Sequence, residues 1–196
     1  MSAVPKRKLT AAEYLAIELN VEERNELLDG VMRPRERSSR WHNTISTNLT
    51  GEVGGRLKGG ECHCLSLTQR IQVEGTDAFF YPDFLIVCGD VHVSQGDPDT
   101  NTNPRVVIEV LSPSTERYDR TIKFRHYQQI PSVQEYVLVT QDEPVCERFV
   151  RQADGSWGYT AFVGLAAELA FTAVPVRVPL ADLYAGVEFP APPRGT

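Results

Sequence analysis

The sequence has no hydrophobic run long enough to cross a membrane. Its longest apolar stretches, Phe84 to Cys88 and Val106 to Leu111, fall far short of the roughly 18 to 20 residues that a transmembrane helix needs. No apolar segment follows the basic residues near the N-terminus, so no signal peptide can be identified. We therefore expect a protein of the cytoplasm without a membrane-spanning helix.

Cysteine is also scarce, and no tract is dominated by one residue type. The 4 cysteines lie in apolar surroundings and are too few for a secreted disulfide scaffold, so we expect them to be reduced and packed as small hydrophobic side chains. No internal repeat, low-complexity tract or flexible linker divides the sequence. We predict a single domain over residues 1–196, with a flexible tail at 190–196.

The chain lacks the surplus of positive charge that is typical of proteins that coat nucleic acids. It has 26 acidic and 20 basic side chains and a formal net charge of −6. The acidity is local, because residues 71–110 contain 7 acidic side chains and 1 basic one. A basic loop lies elsewhere, and it is either a phosphate-binding surface or an ordinary solvated loop. Its arginines are Arg33, Arg35, Arg37 and Arg40.

The N-terminal third of the sequence predicts two helices separated by a hairpin. Thr10 and Glu13 form a capping-box pattern, which predicts a helix from Ala11 to about Leu19. The pair Asp29-Gly30 favours a tight turn between two short extended segments. Apolar residues then recur every four positions, as they do along one face of a helix. These residues are Trp41, Ile45, Leu49, Val53 and Leu57.

Most of the remaining sequence predicts strands around one long helix. The run from Arg105 to Leu111 is almost continuously apolar, which is typical of a strand buried on both faces of a sheet. Ser112 to Thr115 supply start signals for a helix that we expect to reach about Gln129. Other strands are predicted at Leu65–Val73, Phe79–Cys88, Glu135–Val139, Cys146–Val150, Trp157–Phe162 and Val174–Val178, with a turn-rich connection from Gly89 to Pro104 and a short helix after Pro179. This order predicts a mixed α/β domain with a central sheet.

The central strand contains a charged residue among apolar neighbours. Glu109 lies between Ile108 and Val110, where an ionised carboxylate costs several kcal/mol unless a cation or a partner compensates it. Asp83 raises the same question one strand earlier, directly after Pro82. Two acids on adjacent core strands repel each other unless a divalent cation binds both, and carboxylates suit Mg²⁺, Mn²⁺ or Ca²⁺. The alternative is a solvated or salt-bridged Glu109 on an edge strand or at the open end of its strand.

The helix after this strand has three polar side chains on one face. Asp119, Lys123 and Tyr127 follow at successive spacings of four residues. Such an Asp–Lys pair is usually a solvated helix pair worth about 0.3 to 0.5 kcal/mol. Because the helix begins directly after the Glu109 strand, this face can lie over the strand end and bring Lys123 to the carboxylates.

Several motifs along the chain occur together in one known family. They are Glu26-Leu-Leu-Asp-Gly30, His42, Tyr81-Pro-Asp83, Val107-Ile-Glu-Val-Leu-Ser-Pro-Ser-Thr115, the Asp119…Lys123…Tyr127 helix and Glu135-Tyr136. Together they resemble the Uma-two family of bacterial restriction-endonuclease-like proteins, which is placed in the PD-(D/E)XK nuclease superfamily. The resemblance implies a restriction-endonuclease-like core over about residues 9–184. In that core a mixed sheet is flanked by helices, and the site lies at one end of two central strands.

The resemblance implies a metal-dependent nuclease that hydrolyses phosphodiester bonds of nucleic acid, with DNA as the expected substrate. Asp83 and Glu109 correspond to the metal-binding acids of the superfamily, and the Val110 carbonyl is the expected third ligand of Mg²⁺ or Mn²⁺. The superfamily places a lysine two residues after the second acid, where this sequence has Leu111. In the family the lysine is on the helix, at the position of Lys123, and it is expected to be catalytic: to hold or help deprotonate the attacking water, or to stabilise charge on the phosphate.

Four more residues match the family's pattern. Glu26 corresponds to the N-terminal acid and is expected to orient a metal-bound water or to bind a second ion. His42, Asp119 and Tyr127 are expected to support the site. The fold class also suggests a homodimer. The alternative to an enzyme is an inactive member of the fold that binds nucleic acid or a protein partner.

Two cysteine-based alternatives are weaker. Cys62-His63-Cys64 could suggest zinc, but on a strand His63 points away from both cysteines, and a fourth ligand is missing. Cys88 or Cys146 with a distant histidine could form a thiol hydrolase. Neither cysteine lies in a turn or at a helix start that would lower its pKa.

Overall fold

The computed structural model describes residues 7–66, 69–95 and 97–190. The helices in these ranges are α1 (Ala11–Glu18), α2 (Arg40–Leu57), α3 (Glu116–Tyr118), α4 (Phe124–Tyr127) and α5 (Leu180–Leu183), and a π-helical segment, Asp119–Lys123, joins α3 to α4. None of the helices in the described ranges has the length and apolar character that a bilayer crossing requires.

Most of the strands follow one another in two long runs, β3 to β9 and β10 to β14. They are β1 (Asn25–Leu28), β2 (Val31–Pro34), β3 (Cys62–Ser66), β4 (Arg70–Val73), β5 (Ala78–Phe80), β6 (Phe84–Cys88), β7 (Val93–Ser94), β8 (Asp97–Asn101), β9 (Val106–Val110), β10 (Glu135–Val139), β11 (Val145–Arg151), β12 (Trp157–Val163), β13 (Glu168–Ala170) and β14 (Arg177–Pro179).

Two mixed sheets organise the strands. The central sheet has the order β12-β11-β10-β9-β6-β3, and the second sheet has the order β2-β1-β5-β4-β8-β7. β9 and β10 are parallel, and the α3–α4 helix is the crossover that a parallel pair requires. β6 pairs with β9 in the antiparallel direction. β13 and β14 form a separate hairpin.

The central strand β9 contributes side chains to two hydrophobic cores, one on each face of the sheet. Val106, Ile108 and Val110 pack in a core that includes the buried face of α2 and α5. Val107 and Leu111 pack on the opposite face, with apolar side chains of the crossover helix. Because successive strand residues alternate between faces, Glu109 belongs to this second face. Its carboxylate therefore points towards the crossover helix.

The predicted helices and the first hairpin are confirmed. Thr10 and Glu13 make both bonds of a capping box at the start of α1. Asp29 and Gly30 have φ angles of 52° and 76°, as a tight primed turn between β1 and β2 requires. The glycines within α2 do not interrupt the helix. A Cβ at Gly54 would lie 2.9 Å from the sulfur of Cys64, so the small residue allows α2 to pack closely on β3.

Two of the predicted strands are each divided in the structure. The segment Leu65–Val73 is not one strand, because β3 ends at Ser66 in the central sheet and β4 begins at Arg70 in the second sheet. Leu67 lies outside the described residues. The segment Phe79–Cys88 breaks in the same way between β5 and β6. Pro82 cannot donate a hydrogen bond to a strand ladder, and the chain changes sheets around it, so β5 ends at Phe80 and β6 begins at Phe84.

The remaining differences concern short elements and the tail. The predicted turn-rich connection from Gly89 to Pro104 contains the short strands β7 and β8. The predicted helix after Ser112 ends at Tyr127 and contains the π-helical segment, which the sequence pattern did not indicate. Residues 191–196 of the predicted tail lie outside the described residues.

The expectation of four reduced cysteines is wrong for two of them. Cys62 and Cys88 are direct partners in the β3–β6 ladder, and they form a disulfide. The sequence could not show this pairing, because it does not reveal the register of the two strands. Cys64 and Cys146 are free thiols next to the first core, as predicted.

Candidate active site

The two acids singled out from the sequence meet at one end of the paired strands β6 and β9. The ladder matches Phe84 with Ile108, and one more step in the same register sets Asp83 opposite Glu109. Both acids are almost completely buried, with 4% and 2% of their surface exposed. The strand pairing therefore brings together two carboxylates that are 26 residues apart in the sequence.

Asp83 is held by three partners from three parts of the fold. Its Oδ2 accepts a hydrogen bond from the Val110 main-chain N–H at 2.8 Å and from the His42 Nε2 at 3.0 Å. Its Oδ1 forms an ion pair with the Arg35 guanidinium. Burial alone would raise the pKa of Asp83, but His42 and Arg35 outweigh burial and hold the pKa below its ordinary value. Asp83 is therefore ionised at neutral pH.

Glu109 is held mainly by the crossover helix. Lys123 Nζ lies 3.1 Å from Glu109 Oε1, and the Tyr127 hydroxyl donates to the same oxygen at 2.8 Å. Burial raises the pKa of Glu109 to about 8, since the compensating charge of Lys123 is shared with other acids. Without a further cation, Glu109 thus holds its proton through most of the neutral range.

Lys123 lies among three carboxylates. Its ammonium is 3.1 Å from Glu26, 3.1 Å from Glu109 and 3.3 Å from Asp119. Burial would lower the pKa of a lysine, but the three acids outweigh burial and hold the pKa of Lys123 well above its usual value. Lys123 is therefore a fixed cation, and the sequence-based expectation that this helix face reaches the Glu109 strand is correct.

The π-helical segment carries Asp119 and Lys123 at its two ends. In its widened turn, the Phe124 N–H donates to the Asp119 carbonyl. The same carbonyl accepts a second hydrogen bond, at 3.0 Å, from the buried Tyr136 hydroxyl of β10. Tyr136 thereby fixes the turn from which Lys123 extends. Tyr136 belongs to a motif of the family resemblance, but no sequence pattern indicates this contact.

Glu26 reaches the site from the hairpin strand β1. Its Oε1 accepts a hydrogen bond from the Tyr81 main-chain N–H at 3.1 Å, in addition to its contact with Lys123. Tyr81 directly precedes the Pro82-Asp83 pair, so the same chain segment positions two of the acids. The Tyr81 hydroxyl is anchored in turn by Glu18 and Arg70, which form a buried network behind the site.

These side chains line a cavity of about 250 Å³ whose outer rim is basic and hydroxyl-rich. Arg33 and Arg37 on the rim are exposed, whereas Arg35 reaches inwards to Asp83. Arg40 lies on α2 with its guanidinium over the Trp41 ring, and it does not contribute to the cavity lining. The lining residues are Glu26, Arg33, Pro34, Arg35, Glu36, Arg37, Ser38, His42, Tyr81, Asp83, Glu109, Val110, Ser112, Ser114, Thr115, Tyr118, Asp119 and Lys123.

Two features of this rim were not anticipated from the sequence. Tyr118 lines the cavity with its ring near two cations, at 5.6 Å from the Arg33 guanidinium and 5.7 Å from Lys123 Nζ. The Ser114 hydroxyl donates a hydrogen bond to the Glu36 carboxylate. This bond connects the loop after β2 with the loop after β9, and neither loop carries a sequence signal for such a contact.

The donor chemistry of the site suits a hard divalent cation. Four buried carboxylates, those of Glu26, Asp83, Glu109 and Asp119, contact only two fixed cations among the described residues, Lys123 and Arg35. If all four carboxylates are ionised, Lys123 and Arg35 compensate two of the four negative charges, and His42 is the remaining basic partner. The two charges left over match the charge of one Mg²⁺ or Mn²⁺ ion. Oxygen ligands are those that these ions prefer.

The side chains are nevertheless not yet arranged around an ion. No group of three or more His, Cys, Asp or Glu residues within the described ranges has the geometry to hold a metal. The reason is visible at Asp83, because both of its oxygens are already engaged. Glu109 accepts both of its hydrogen bonds on Oε1, and no described residue donates to its Oε2. The residues present fit the ion once Asp83 Oδ1 is released.

The cysteine-based alternatives have no support in the structure. The disulfide with Cys88 occupies the sulfur of Cys62, so this residue of the Cys62-His63-Cys64 triplet is unavailable as a metal ligand. Cys146 is buried, and burial raises the pKa of its thiol to about 12. A thiol with such a pKa is not a nucleophile at neutral pH.

The fold of this chain matches that of a solved structure. A solved structure described as a "putative nuclease belonging to DUF820" from Anabaena variabilis superposes with a TM-score of 0.74 at 17% sequence identity. The superposition covers 90% of this chain and 98% of that one. It confirms the predicted mixed α/β architecture with a central mixed sheet.

The chain belongs to the Uma2 family, described as "Putative restriction endonuclease", whose model matches residues 11–178. Two relatives, each described as "Uncharacterized protein", come from Synechocystis sp.. One is 30% identical over 164 residues, which cover 84% of this chain and 93% of that protein. The other is 34% identical over 155 residues, which cover 79% of this chain and 80% of that protein. Family membership supports a nuclease-like function and confirms the resemblance seen in the sequence.

Proposed function

We propose that this protein is a divalent-cation-dependent nuclease that hydrolyses phosphodiester bonds of nucleic acid, with DNA as the substrate. The observation that carries the proposal is the convergence of Asp83, Glu109 and Lys123 in one cavity of a chain from this family. Asp83, Glu109 and the Val110 carbonyl would hold Mg²⁺ or Mn²⁺. When bound, such an ion polarises the phosphate and lowers the pKa of a coordinated water.

Lys123 would act as a fixed positive charge in this reaction. Hydrolysis adds a water oxygen to phosphorus, breaks the bond to the leaving oxygen and builds negative charge on the phosphoryl group. An ammonium can donate hydrogen bonds to those oxygens and stabilise that charge. Because its pKa is held well above the usual value, Lys123 is a poor base. We assign the proton lost by the water to the surrounding carboxylates instead.

The rim of the cavity would bind the substrate backbone. Arg33 and Arg37 are exposed beside the acids, and guanidinium groups recognise phosphate through paired hydrogen bonds. The hydroxyl groups of Ser112 and Ser114 also line this cavity. The net charge of the chain does not oppose this role, because the four acids of the cavity are buried whereas Arg33 and Arg37 on its rim are exposed.

The proposal is tested by incubating the purified protein with plasmid and oligonucleotide DNA in Mg²⁺ or in Mn²⁺. We expect cleavage that EDTA stops and that Glu109→Ala abolishes. Cleavage that persists in Glu109→Ala would come from a contaminating nuclease and would remove the support for the enzyme. Binding of DNA without cleavage under all conditions would favour the inactive, nucleic-acid-binding alternative. The homodimer, the single domain and the cytoplasmic location stay predictions from the sequence.

A further inference from the structure

The position of Arg35 conflicts with a metal ion at Asp83. Asp83 Oδ2 accepts two hydrogen bonds, from His42 and from the Val110 N–H, so Oδ1 is the oxygen best placed to bind a cation. The Arg35 guanidinium contacts this same oxygen. A guanidinium is always protonated, so Arg35 supplies at Oδ1 the positive charge that a metal ion would otherwise provide. Arg35 and a divalent cation therefore compete for one atom.

The loop that carries Arg35 is anchored at its two ends and has no regular structure between them. Residues 35–39 link β2 to α2 across the mouth of the cavity. The Arg35 N–H donates to the Arg24 carbonyl at 2.8 Å, and the Ser39 hydroxyl donates to Gln141 at 2.5 Å. Between these anchors, Glu36 accepts the hydrogen bond from Ser114. The Arg35 side chain can therefore change its partner while both ends of the loop stay in place.

We propose that Arg35 is an exchangeable counter-ion of the site. In the cation-free protein it neutralises Asp83, and when a divalent cation binds Asp83, Arg35 is released and binds a phosphate oxygen of the nucleic acid. The proposal rests on the proposed nuclease function and adds a role for one residue. The side chain is 20% exposed and the rim arginines lie beside it, so a released guanidinium is next to the path of the backbone. Its planar fork suits phosphate as well as carboxylate.

The exchange couples the binding of cation and nucleic acid. A divalent cation must displace the charge-assisted hydrogen bond between Arg35 and Asp83, so the free protein binds the cation less tightly. The released Arg35 guanidinium is then available to bind phosphate, which raises the affinity of the protein for nucleic acid. By thermodynamic linkage, nucleic acid must raise the cation affinity by the same factor. Arg35 thereby makes each ligand favour the other.

The test compares Arg35→Met with the matched control Arg37→Met. Arg37 lines the same cavity, and its replacement removes the same charge, but Arg37 has no ion pair with Asp83 among the described contacts. Calorimetric titration of the cation-free proteins with Mn²⁺ measures the competition directly. We expect Arg35→Met to bind Mn²⁺ at least about tenfold more tightly than Arg37→Met, since it lacks the competing charge-assisted bond. Arg35→Lys, which keeps a charge but not the fork, should lie between them.

A second measurement follows the other side of the exchange. Fluorescence anisotropy gives the affinity for a short DNA duplex in EDTA and in Ca²⁺, which takes the same oxygen ligands. Relative to wild type, Arg35→Met should lose affinity in Ca²⁺ and little in EDTA, whereas Arg37→Met should lose the same factor in both. Circular dichroism and the Tm of each variant establish that it is folded before the comparison.

Two results would overturn the exchange. Equal Mn²⁺ affinities of Arg35→Met and Arg37→Met would show that Arg35 does not compete for Asp83. An equal loss of DNA affinity with and without cation would show that Arg35 is not released. A wild-type protein that binds Mn²⁺ but cleaves no DNA would contradict the proposed nuclease, while the Mn²⁺ comparison would still decide the role of Arg35.

Discussion

Replacing Lys123 by methionine removes the cation on which three buried acids depend. Methionine keeps the length and apolar contacts of the lysine stem but has no charge. Glu26, Glu109 and Asp119 all lie within 3.1 to 3.3 Å of the ammonium, and each would lose this partner. Removing one member of a buried ion pair typically costs about 3 to 5 kcal/mol, because the remaining charge is uncompensated.

The loss of stability should depend on pH in a defined direction. Burial raises the pKa of Glu109 to about 8, so the folded protein holds this proton between the ordinary carboxyl pKa and pH 8, whereas the unfolded chain does not. Stability therefore falls as pH rises through this window. Without Lys123 the acids hold their protons more strongly still. We expect Lys123→Met to lose about 3 kcal/mol at pH 7 and to lose stability with rising pH more steeply than wild type.

Urea unfolding followed by circular dichroism at pH 6, 7 and 8 measures these differences in the free energy of unfolding. Lys58→Met is the matched control, because Lys58 is exposed after α2. It should stay within about 0.5 kcal/mol of wild type at each pH. A loss below about 1 kcal/mol for Lys123→Met at pH 8 would refute the reasoning that Lys123 compensates buried, ionised acids.

Three other predictions follow from the same contacts. A cation must displace the Glu109 proton below pH 8, so the Mn²⁺ affinity measured by calorimetry should rise about tenfold per pH unit from pH 6 to 8 and then level off. An affinity that does not change with pH would contradict the raised pKa of Glu109. Tyr136→Phe deletes the hydrogen bond to the Asp119 carbonyl, so we expect a lower kcat for DNA cleavage at unchanged KM. The free energy of unfolding in urea should fall by only about 1 kcal/mol. An unaffected kcat would exclude a positioning role for Tyr136. Gly30→Ala should lower Tm more than Gly59→Ala. Both glycines have positive φ, but of the two only a Cβ at Gly30 would meet another side chain, that of Lys8, at 2.5 Å. Equal losses of Tm would contradict this reasoning.

Asp83 and Glu109 could be identified as site residues from the sequence, because each is a charged residue in an apolar segment that is expected to be buried. Glu109 lies in an almost continuously apolar segment, which is typical of a buried strand, and its neighbours in β9 are buried on both faces of the sheet. Lys123 could be connected with it because the spacing of Asp119, Lys123 and Tyr127 places them on one helix face. Both inferences use patterns within one short segment of the sequence, and neither requires knowledge of contacts between distant segments.

The remaining features depend on register and on contacts between distant segments. The change of sheet at Pro82 cannot be seen in the hydrophobic pattern, because the residues of β5 and β6 on either side of it are all apolar. The Cys62–Cys88 disulfide requires the β3–β6 register. The ion pair of Arg35 with Asp83 joins residues 48 positions apart, and no spacing rule describes it. Composition identifies the basic loop, but it does not indicate that the Arg35 side chain points into the cavity.

The central claim is that Asp83 and Glu109 hold the divalent cation of a nuclease site. Calorimetric titration of Mn²⁺ and Mg²⁺ into wild type, Asp83→Ala and Glu109→Ala tests it most directly, with circular dichroism to show that all three proteins are folded. We predict one cation site in wild type that is lost in both variants. Unchanged cation affinity in the two folded variants would contradict the assignment.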